Sequence, residues 1–408
     1  MRNLGRKLLF ASAFLAPLAA WGAVPLLPST PTFSEPSQIV GTLNFLINTI
    51  NTAITPQTMA NYATPRNLLD NGGMQIQQRG TGTRTCGTTT IPSSAYSADR
   101  WGCNVNVTSG AGTLQVITSN LPAAPLPTFN AGMVFYRTSG ALAQPQCVMQ
   151  EIPTSRITPL AGQNVNLSFY AQGLANMLAE QTTLNAYLFT GTGTDEGLQS
   201  FTASPAITPA FTGIASTLTT AFTITSSWAR YSTSFQVPST ATEAAVALCW
   251  TPTVGGTAGT TDGFRFTGVQ LEQGTSASAF EFRSYGDELV TAERYFYAIN
   301  EGTITAGTVM VGGGSAQGTT TTCTTAIPFP VTMIKAPTYT NALTASTFKL
   351  VSASQTATAL STPFSATLGA NTPYGASINF TTTGMTAKDG CFLVSAAGSG
   401  TMQFTADF

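Results

Sequence analysis

Ser346 and Lys349 stand in an SxxK spacing, in which a lysine one helical turn on can take the proton of a serine nucleophile. That chemistry needs the serine at a helix start, so that both groups share a face. The flanking residues are Thr- and Ala-rich and strand-like, and no SDN or KTG companion exists, so the match reads as chance. Gly191-Thr192-Gly193-Thr194-Asp195-Glu196-Gly197 is a loop with two acids. It lacks the alternating carboxylates of a calcium loop and reads as a solvated hairpin tip. Glycoside cleavage needs two carboxyl groups facing each other across a groove. Among 17 acidic residues the nearest candidate pair is Glu272 with Glu281 or Asp262, and nothing in their spacing sets them apart. The chain contains no histidine. This removes Ser-His and Cys-His nucleophile pairs, HExxH zinc sites and histidine proton shuttles. No catalytic residue, metal set or cofactor is expected.

Trp101, Trp228 and Trp250 offer flat apolar faces that match the apolar face of a sugar ring. Each lies beside strand-like alternation, which favours the reading of core anchors. Asp99 and Arg100 beside Trp101 read as a buried ion pair fixing a loop, and Arg283 with Glu281 and Glu272 reads the same way. No residue is singled out as a glycan contact.

The six cysteines fall two by two along the chain. That order invites Cys86–Cys103, Cys147–Cys249 and Cys323–Cys391 as bridges within successive parts of the chain. Other connectivities and buried free thiols stay open.

The elements that hold these residues follow from composition. The 408 residues include 16 Lys and Arg against 17 Asp and Glu, so the net charge is 16 − 17 = −1. Charged residues are 8%, against about 25% in an average soluble domain, while apolar residues reach 43%. A core can be built, but cations are too sparse for a phosphate-binding surface: the lysines are Lys7, Lys335, Lys349 and Lys388. No nucleic-acid partner is expected. Thr, Ser, Ala, Gly, Asn and Gln fill the gap. Thr suits a pleated surface, helix formers such as Glu and Lys are scarce, and 38 Gly and 23 Pro cut the chain into short pieces. The expected class is all-β: a jelly-roll β-sandwich plus a smaller C-terminal β-sandwich.

At the amino terminus Arg2, Arg6 and Lys7 precede an apolar run from Leu8 to Ala20. It reads either as a secretory signal peptide or as an uncleaved tip docked into a larger assembly. A Pro-rich linker follows from Pro25 to Pro36. Ile39, Leu43, Leu46, Ile50 and Ala53 are then spaced 4, 3, 4 and 3, a short heptad seam. Such a helix is weak alone and would bury its stripe in a bundle of three chains or against its own domain.

From Arg66 the texture changes. Val165, Leu167, Phe169 and Ala171 alternate with polar neighbours, as do Tyr231, Thr233, Phe235 and Val237 before Pro238, and both read as half-buried strands. Apolar parity flips at Gly268, which suggests a β-bulge. Asp287 to Arg294 reads as a short helix with acids in its first turn, and Tyr295-Phe296-Tyr297 starts a strand. Beyond it, Thr308-Val309-Met310-Val311 is strand-like until Gly312-Gly313-Gly314 breaks it. Phe329-Pro330-Val331 and Ile334 to Pro337 make edge-like pieces, and Val394 and Phe404 belong to closing strands. The domains expected are 1–66 as an anchor, 67–285 as the jelly roll, 286–297 as a helical connector and 298–408 as the last β domain.

In order, NLLDNGGMQIQQRG, YSADRW, VNLSFYAQG, SSWARYSTSFQVP and GVQLEQGTSASAFEFRSYGDELVTAERYFY, with PFPVTMIKAPTYT after them, resemble the shared skeleton of tailed-bacteriophage fibre and receptor-binding proteins. The resemblance spans Asn67 to about Thr340. It implies a jelly roll similar to carbohydrate-binding modules and a place in the virion. The chain would then be a tail fibre or receptor-binding subunit, a homotrimer joined through Ile39, Leu43, Leu46 and Ile50. Its N-terminal segment would meet other virion proteins, and its loops a host surface glycan. A head or collar decoration fibre, a secreted bacterial glycan-binding protein and, last, a capsule-degrading enzyme are the other readings.

Overall fold

β-Branched and aromatic residues at alternate positions make strands here because one pleated face finds apolar partners on a second sheet. The structure, a computed structural model, describes residues 65–80, 82–86, 96–105, 112–138, 145–197, 211–214, 216–253, 257–300, 310–315, 322–339, 348–352, 358–359, 366–381, 387–388, 390–395 and 401–407. The apolar tip, the linker, the seam of Ile39, Leu43, Leu46 and Ile50, and Ser346 lie outside these residues. Residues Asn67–Phe408 form one compact unit.

The first eleven strands are β1 (Arg84–Thr85), β2 (Gly102–Val105), β3 (Gly112–Ile117), β4 (Gly132–Arg137), β5 (Gln146–Ile152), β6 (Asn164–Gly173), β7 (Thr183–Gly191), β8 (Ser216–Thr223), β9 (Ala229–Gln236), β10 (Glu243–Trp250) and β11 (Gly263–Gln273). They build a six-stranded sheet ordered β1-β3-β4-β11-β6-β9 and a five-stranded sheet ordered β2-β5-β10-β7-β8. One core joins both: Leu114, Phe135, Leu167, Phe169, Phe264 and Phe266 from the first sheet meet Val148, Leu184, Leu188, Val246, Leu248 and Trp250 from the second. Two short helices, α1 (Thr154–Ile157) and α2 (Ala175–Glu180), sit in the connections.

The period of two is legible on β10. Ala244, Val246, Leu248 and Trp250 face the core between the sheets. Ala245, Ala247 and Cys249 face outward, into a second apolar cluster with Cys147, Met149, Phe189 and Phe211. Strand β6 departs from a half-buried pattern, because its polar side is buried too. The segment after β11 crosses that face. Thr275 O accepts from Ser234 Oγ at 2.6 Å, Ser278 O accepts from Arg230, and Arg230 also reaches Ser168 Oγ at 3.0 Å.

Helix α3 (Tyr285–Glu293) starts where Ser284 Oγ accepts from the Asp287 backbone N–H at 3.2 Å, with Asp287 and Glu288 in its first turn. It leads into β12 (Phe296–Asn300), then β13 (Met310–Ser315), β14 (Thr322–Pro328), β15 (Thr338–Tyr339), β16 (Phe348–Ser352), β17 (Thr358–Ala359), β18 (Ala366–Thr372), β19 (Gly375–Thr381), β20 (Gly390–Ser395) and β21 (Thr401–Thr405). A three-stranded sheet β12-β21-β15 and a seven-stranded sheet β17-β16-β20-β13-β14-β19-β18 enclose a smaller core around Ile378, Phe380, Leu393, Met402 and Phe404.

Two expectations fail here. The Gly312-Gly313-Gly314 run does not end β13 but lies inside it, since neighbouring β14 approaches too closely for side chains. A Cβ at Gly314 would stand 1.9 Å from Thr324 O, and one at Gly312 2.6 Å from Thr325 Cγ2. Residues 329–337 are not strands, and Phe329 and Met333 plug the core from a loop.

Residues from NLLDNGGMQIQQRG, YSADRW and the RYFY end of the long motif meet in one buried charge network. Arg100 Nε lies 3.7 Å from Asp70 Oδ2, and its Nη1 lies 3.8 Å from Glu151 Oε2. Its guanidinium stands 3.6 Å from the Tyr295 ring centre. Arg79 pairs with Asp99 at 3.5 Å and stands 3.7 Å from the Phe296 ring centre. Asp99 and Arg100 are thus both buried and ion-paired, but to other residues than each other. With Arg100 at φ 72°, a left-handed turn sends the two neighbouring side chains to different partners.

Candidate functional site

The site begins with a bulge. The register of β11 against β6 shifts between Thr267 and Gln270, and Gly268 within it has φ 60°. A Cβ there would stand 2.5 Å from Phe129 Cζ and 2.8 Å from Tyr170 Cδ2, so glycine lets the Phe129 ring lie down on the sheet. Phe129, Tyr170 and Phe280 form a small buried cluster with Leu126 and Trp228 at its margin. Phe129 packs 5.3 Å from Tyr170 and 5.2 Å from Phe280, ring centre to ring centre.

Phe282 closes the cluster and remains 58% exposed. It is held 4.9 Å from Phe280 and 5.2 Å from Phe129. A cleft of about 80 Å³ opens between these rings and a polar wall that includes Gln75, Thr128, Asn130, Glu281, Arg283 and Glu288. Arg283 donates to Glu281 Oε2 at 3.2 Å and to Glu288 Oε1 at 3.5 Å. It also donates to the carbonyls of Asn67 and Leu69. Glu281 Oε2 accepts from the Asn67 N–H at 2.9 Å, and Glu288 Oε2 from the Asn71 N–H at 2.7 Å. Burial pushes the Glu288 carboxyl above its usual range, with Arg283 opposing. Thr128 and Asn130 are exposed, and among the described residues their side chains make no hydrogen bond within the chain. The cleft therefore offers an accessible aromatic face beside hydroxyl, amide and carboxylate groups, the components of non-covalent recognition of a polar, CH-faced ligand.

The residues weighed in the sequence are placed as follows. Trp101 and Trp250 are buried in the main core, and Trp101 Nε1 donates to Asn71 O at 3.0 Å. Trp228 is half-buried at the margin of the Phe129 cluster, and its Nε1 donates to Asn120 O at 3.0 Å. Glu281 lines the cleft, whereas Glu272 and Asp262 are not among its lining residues. Glu272 accepts from Ser278 and Gln270, while Asp262 accepts from Arg137 Nε at 2.6 Å. Glu272 also gives way to Glu288 as the second partner of Arg283, because the first turn of α3 carries Glu288 to it. Among the described residues no group of three or more acids or cysteines is gathered as a metal site.

The loop after β7 keeps Thr192 and Thr194 exposed but is tied down by hydrogen bonds. Glu243 Oε1 accepts from the Gly193 N–H at 3.2 Å and its Oε2 from the Glu196 N–H at 2.9 Å. Glu196 accepts from the Thr212 N–H and hydroxyl, and Asp195 accepts from the Thr154 N–H at 2.8 Å. Burial, with Glu196 beside it, pushes the Glu243 carboxyl up to about 7. Nothing in the sequence joins Glu196 to Glu243. The aromatic cleft had a fainter signal: Phe280 and Phe282 alternate, so both fall on one side of an extended chain.

All six cysteines are bonded, as Cys86–Cys103, Cys147–Cys249 and Cys323–Cys391. The first ties the two jelly-roll sheets, the second joins register partners on β5 and β10, and the third links the strands on either side of β13.

No protein-family model matches the sequence, and no curated protein matches it. Solved structures of related shape include the enzymatically active domain of tailspike protein 4 from bacteriophage CBA120, at 14% identity and TM-score 0.32, covering 51% of this chain and 21% of that one. TmCBM61 in complex with β-1,4-galactotriose follows at 10% identity and TM-score 0.25, covering 52% of this chain and 99% of the module. The CBM22-1–CBM22-2 tandem of Paenibacillus barcinonensis Xyn10C has 9% identity and TM-score 0.26, covering 80% of this chain and all of the tandem. Likeness at this level assigns neither a family nor a ligand.

Proposed function

We propose that this chain is a non-enzymatic, glycan-binding structural protein of a phage virion, a tail fibre or receptor-binding subunit that adheres to the host surface. The observation that carries the reading is the cleft under Phe282, an exposed aromatic ring fixed by two buried ones beside a polar wall. The carboxylates that line it are bound to backbone N–H groups and Arg283, which suits a binding site better than acid–base catalysis. The ordered fibre-like motifs, three of which contribute to one buried network, support the virion role. Adhesion would come from many weak contacts multiplied by copy number, as a homotrimer assembled through Ile39, Leu43, Leu46 and Ile50 would supply. The test has two parts. Gold-labelled antibody against the chain should mark the tail tip in electron micrographs, and purified chain should compete with particles for adsorption to cells. Label on the head or collar instead would move the role to a decoration fibre, and absence from particles would end the virion reading.

One observation favours a second reading. Three disulfides suit an oxidising compartment, which a secreted bacterial glycan-binding protein also occupies. Mass spectrometry of the mature amino terminus decides between them: a start just after Gly22 or Ala23 supports secretion.

A further inference from the structure

We infer that the Phe282 cleft takes one edge of a neutral pyranose and rejects sugars that carry a carboxylate; this rests on reading the cleft as the glycan site.

The charge of the wall makes the first argument. Arg283 is the cation among the described residues that line the cleft, facing two carboxylates there, Glu281 and Glu288. Its Nε and Nη2 both donate to Glu281, its Nη1 donates to Glu288, and the Asn67 and Leu69 carbonyls accept as well. A bidentate grip on an incoming carboxylate would need this guanidinium to be released from both partners. The incoming anion would also approach two like charges in a partly desolvated recess. A neutral hydroxylated ring carries neither penalty.

Ring chemistry makes the second. Phe282 presents an apolar face that stays in water when the cleft is empty, and covering it with the CH face of a pyranose recovers apolar burial. Hydroxyls around that ring need donors and acceptors in its plane. The Thr128 hydroxyl and the Asn130 amide supply both, and Gln75, whose Nε2 donates to Arg283 O at 3.3 Å, keeps its carbonyl oxygen as an acceptor.

Size makes the third. About 80 Å³ is well below the roughly 300–1,000 Å³ of pockets that enclose a whole drug-sized ligand. The cleft seats a few ring atoms and their hydroxyls, so it reads a single exposed sugar weakly.

Saturation-transfer NMR on the full chain tests this with methyl α-D-glucopyranoside, methyl β-D-galactopyranoside, D-glucuronate and N-acetylneuraminic acid as probes. At least one neutral glycoside should receive saturation. Phe282→Ala should weaken it about tenfold and lower the thermal midpoint only slightly, since more than half of the ring is exposed, and Asn130→Ala several-fold with the midpoint unchanged. Phe282-dependent transfer to an acidic sugar, with or without transfer to a neutral one, would overturn the ligand class and leave the glycan site standing. Transfer that survives Phe282→Ala would place sugar binding elsewhere on the chain and overturn both the inference and the cleft. No transfer to any probe would overturn the inference together with the glycan reading.

Discussion

Arg100 Nη1 lies 3.5 Å from Asp407 Oδ1, and both groups are buried. Asp407 also accepts from Arg79, 328 residues away in sequence. The tail of β21 is thus locked into the same network that holds the Asp-Asn-Gly-Gly turn, the segment around Trp101 and Tyr295. Removing one partner of such a network leaves a charge in a medium that cannot solvate it. Asp407→Ala should therefore cost about 3–5 kcal/mol, read as a lowered urea midpoint. An unchanged midpoint would show that the two arginines find water or other acceptors, and that the network is not what joins the last strand to the rest.

Gly268→Ala adds a methyl group at φ 60°, aimed at the Phe129 ring. Strain and displacement together should cost about 1–3 kcal/mol. Because Phe129 supports Phe282, sugar contact at the cleft should weaken in the same variant. Full stability with unaltered aromatic shifts for Phe282 would sever the proposed link between the bulge and the site.

The bridges differ in the loops they close, 17 residues apart for Cys86–Cys103 and 102 for Cys147–Cys249. By loop-closure entropy the first contributes about 3 kcal/mol and the second about 4.7. Paired Cys→Ala variants, compared by denaturant unfolding, should rank in that order. The reverse ranking would mean that packing, rather than entropy of the unfolded chain, dominates their contribution.

The Glu243 carboxyl, pushed from an ordinary 4.5 up to about 7, binds its proton more tightly in the folded protein than in the unfolded chain. Its stabilising share is complete below about pH 4.5 and is lost as the pH rises through 7. The share is of the order of 1–3 kcal/mol. Glu196 acts in the opposite sense, since the Thr212 hydrogen bonds hold its carboxyl below the ordinary value, but it is more exposed and its effect is smaller. Melting curves from pH 4 to 8 should show declining stability, and Glu243→Gln should flatten that slope. A slope identical in the variant would falsify the assignment to Glu243.

Local pattern accounts for much of the architecture. The paucity of helix formers, the alternation in β9 and the capped first turn of α3 each act over a few neighbouring residues, so they are readable from the chain alone. The bulge at Gly268 is of the same kind, because a parity flip is a local event. The Gly312-Gly313-Gly314 run misleads for the opposite reason. Its glycines answer to Thr324 and Thr325 on the adjacent strand, a contact that no local window contains.

By itself, then, the sequence determined an all-β chain of low charge, without imidazole chemistry, whose apolar residues repeat every second position. The tertiary structure alone decided which of those residues meet. It set Cys147 opposite Cys249, Glu243 under Glu196, Asp407 between two arginines and Phe282 beside Phe129. Strand order is the physical reason: a two-sheet sandwich joins segments tens to hundreds of residues apart, and partners are chosen by how the sheets stack rather than by spacing along the chain.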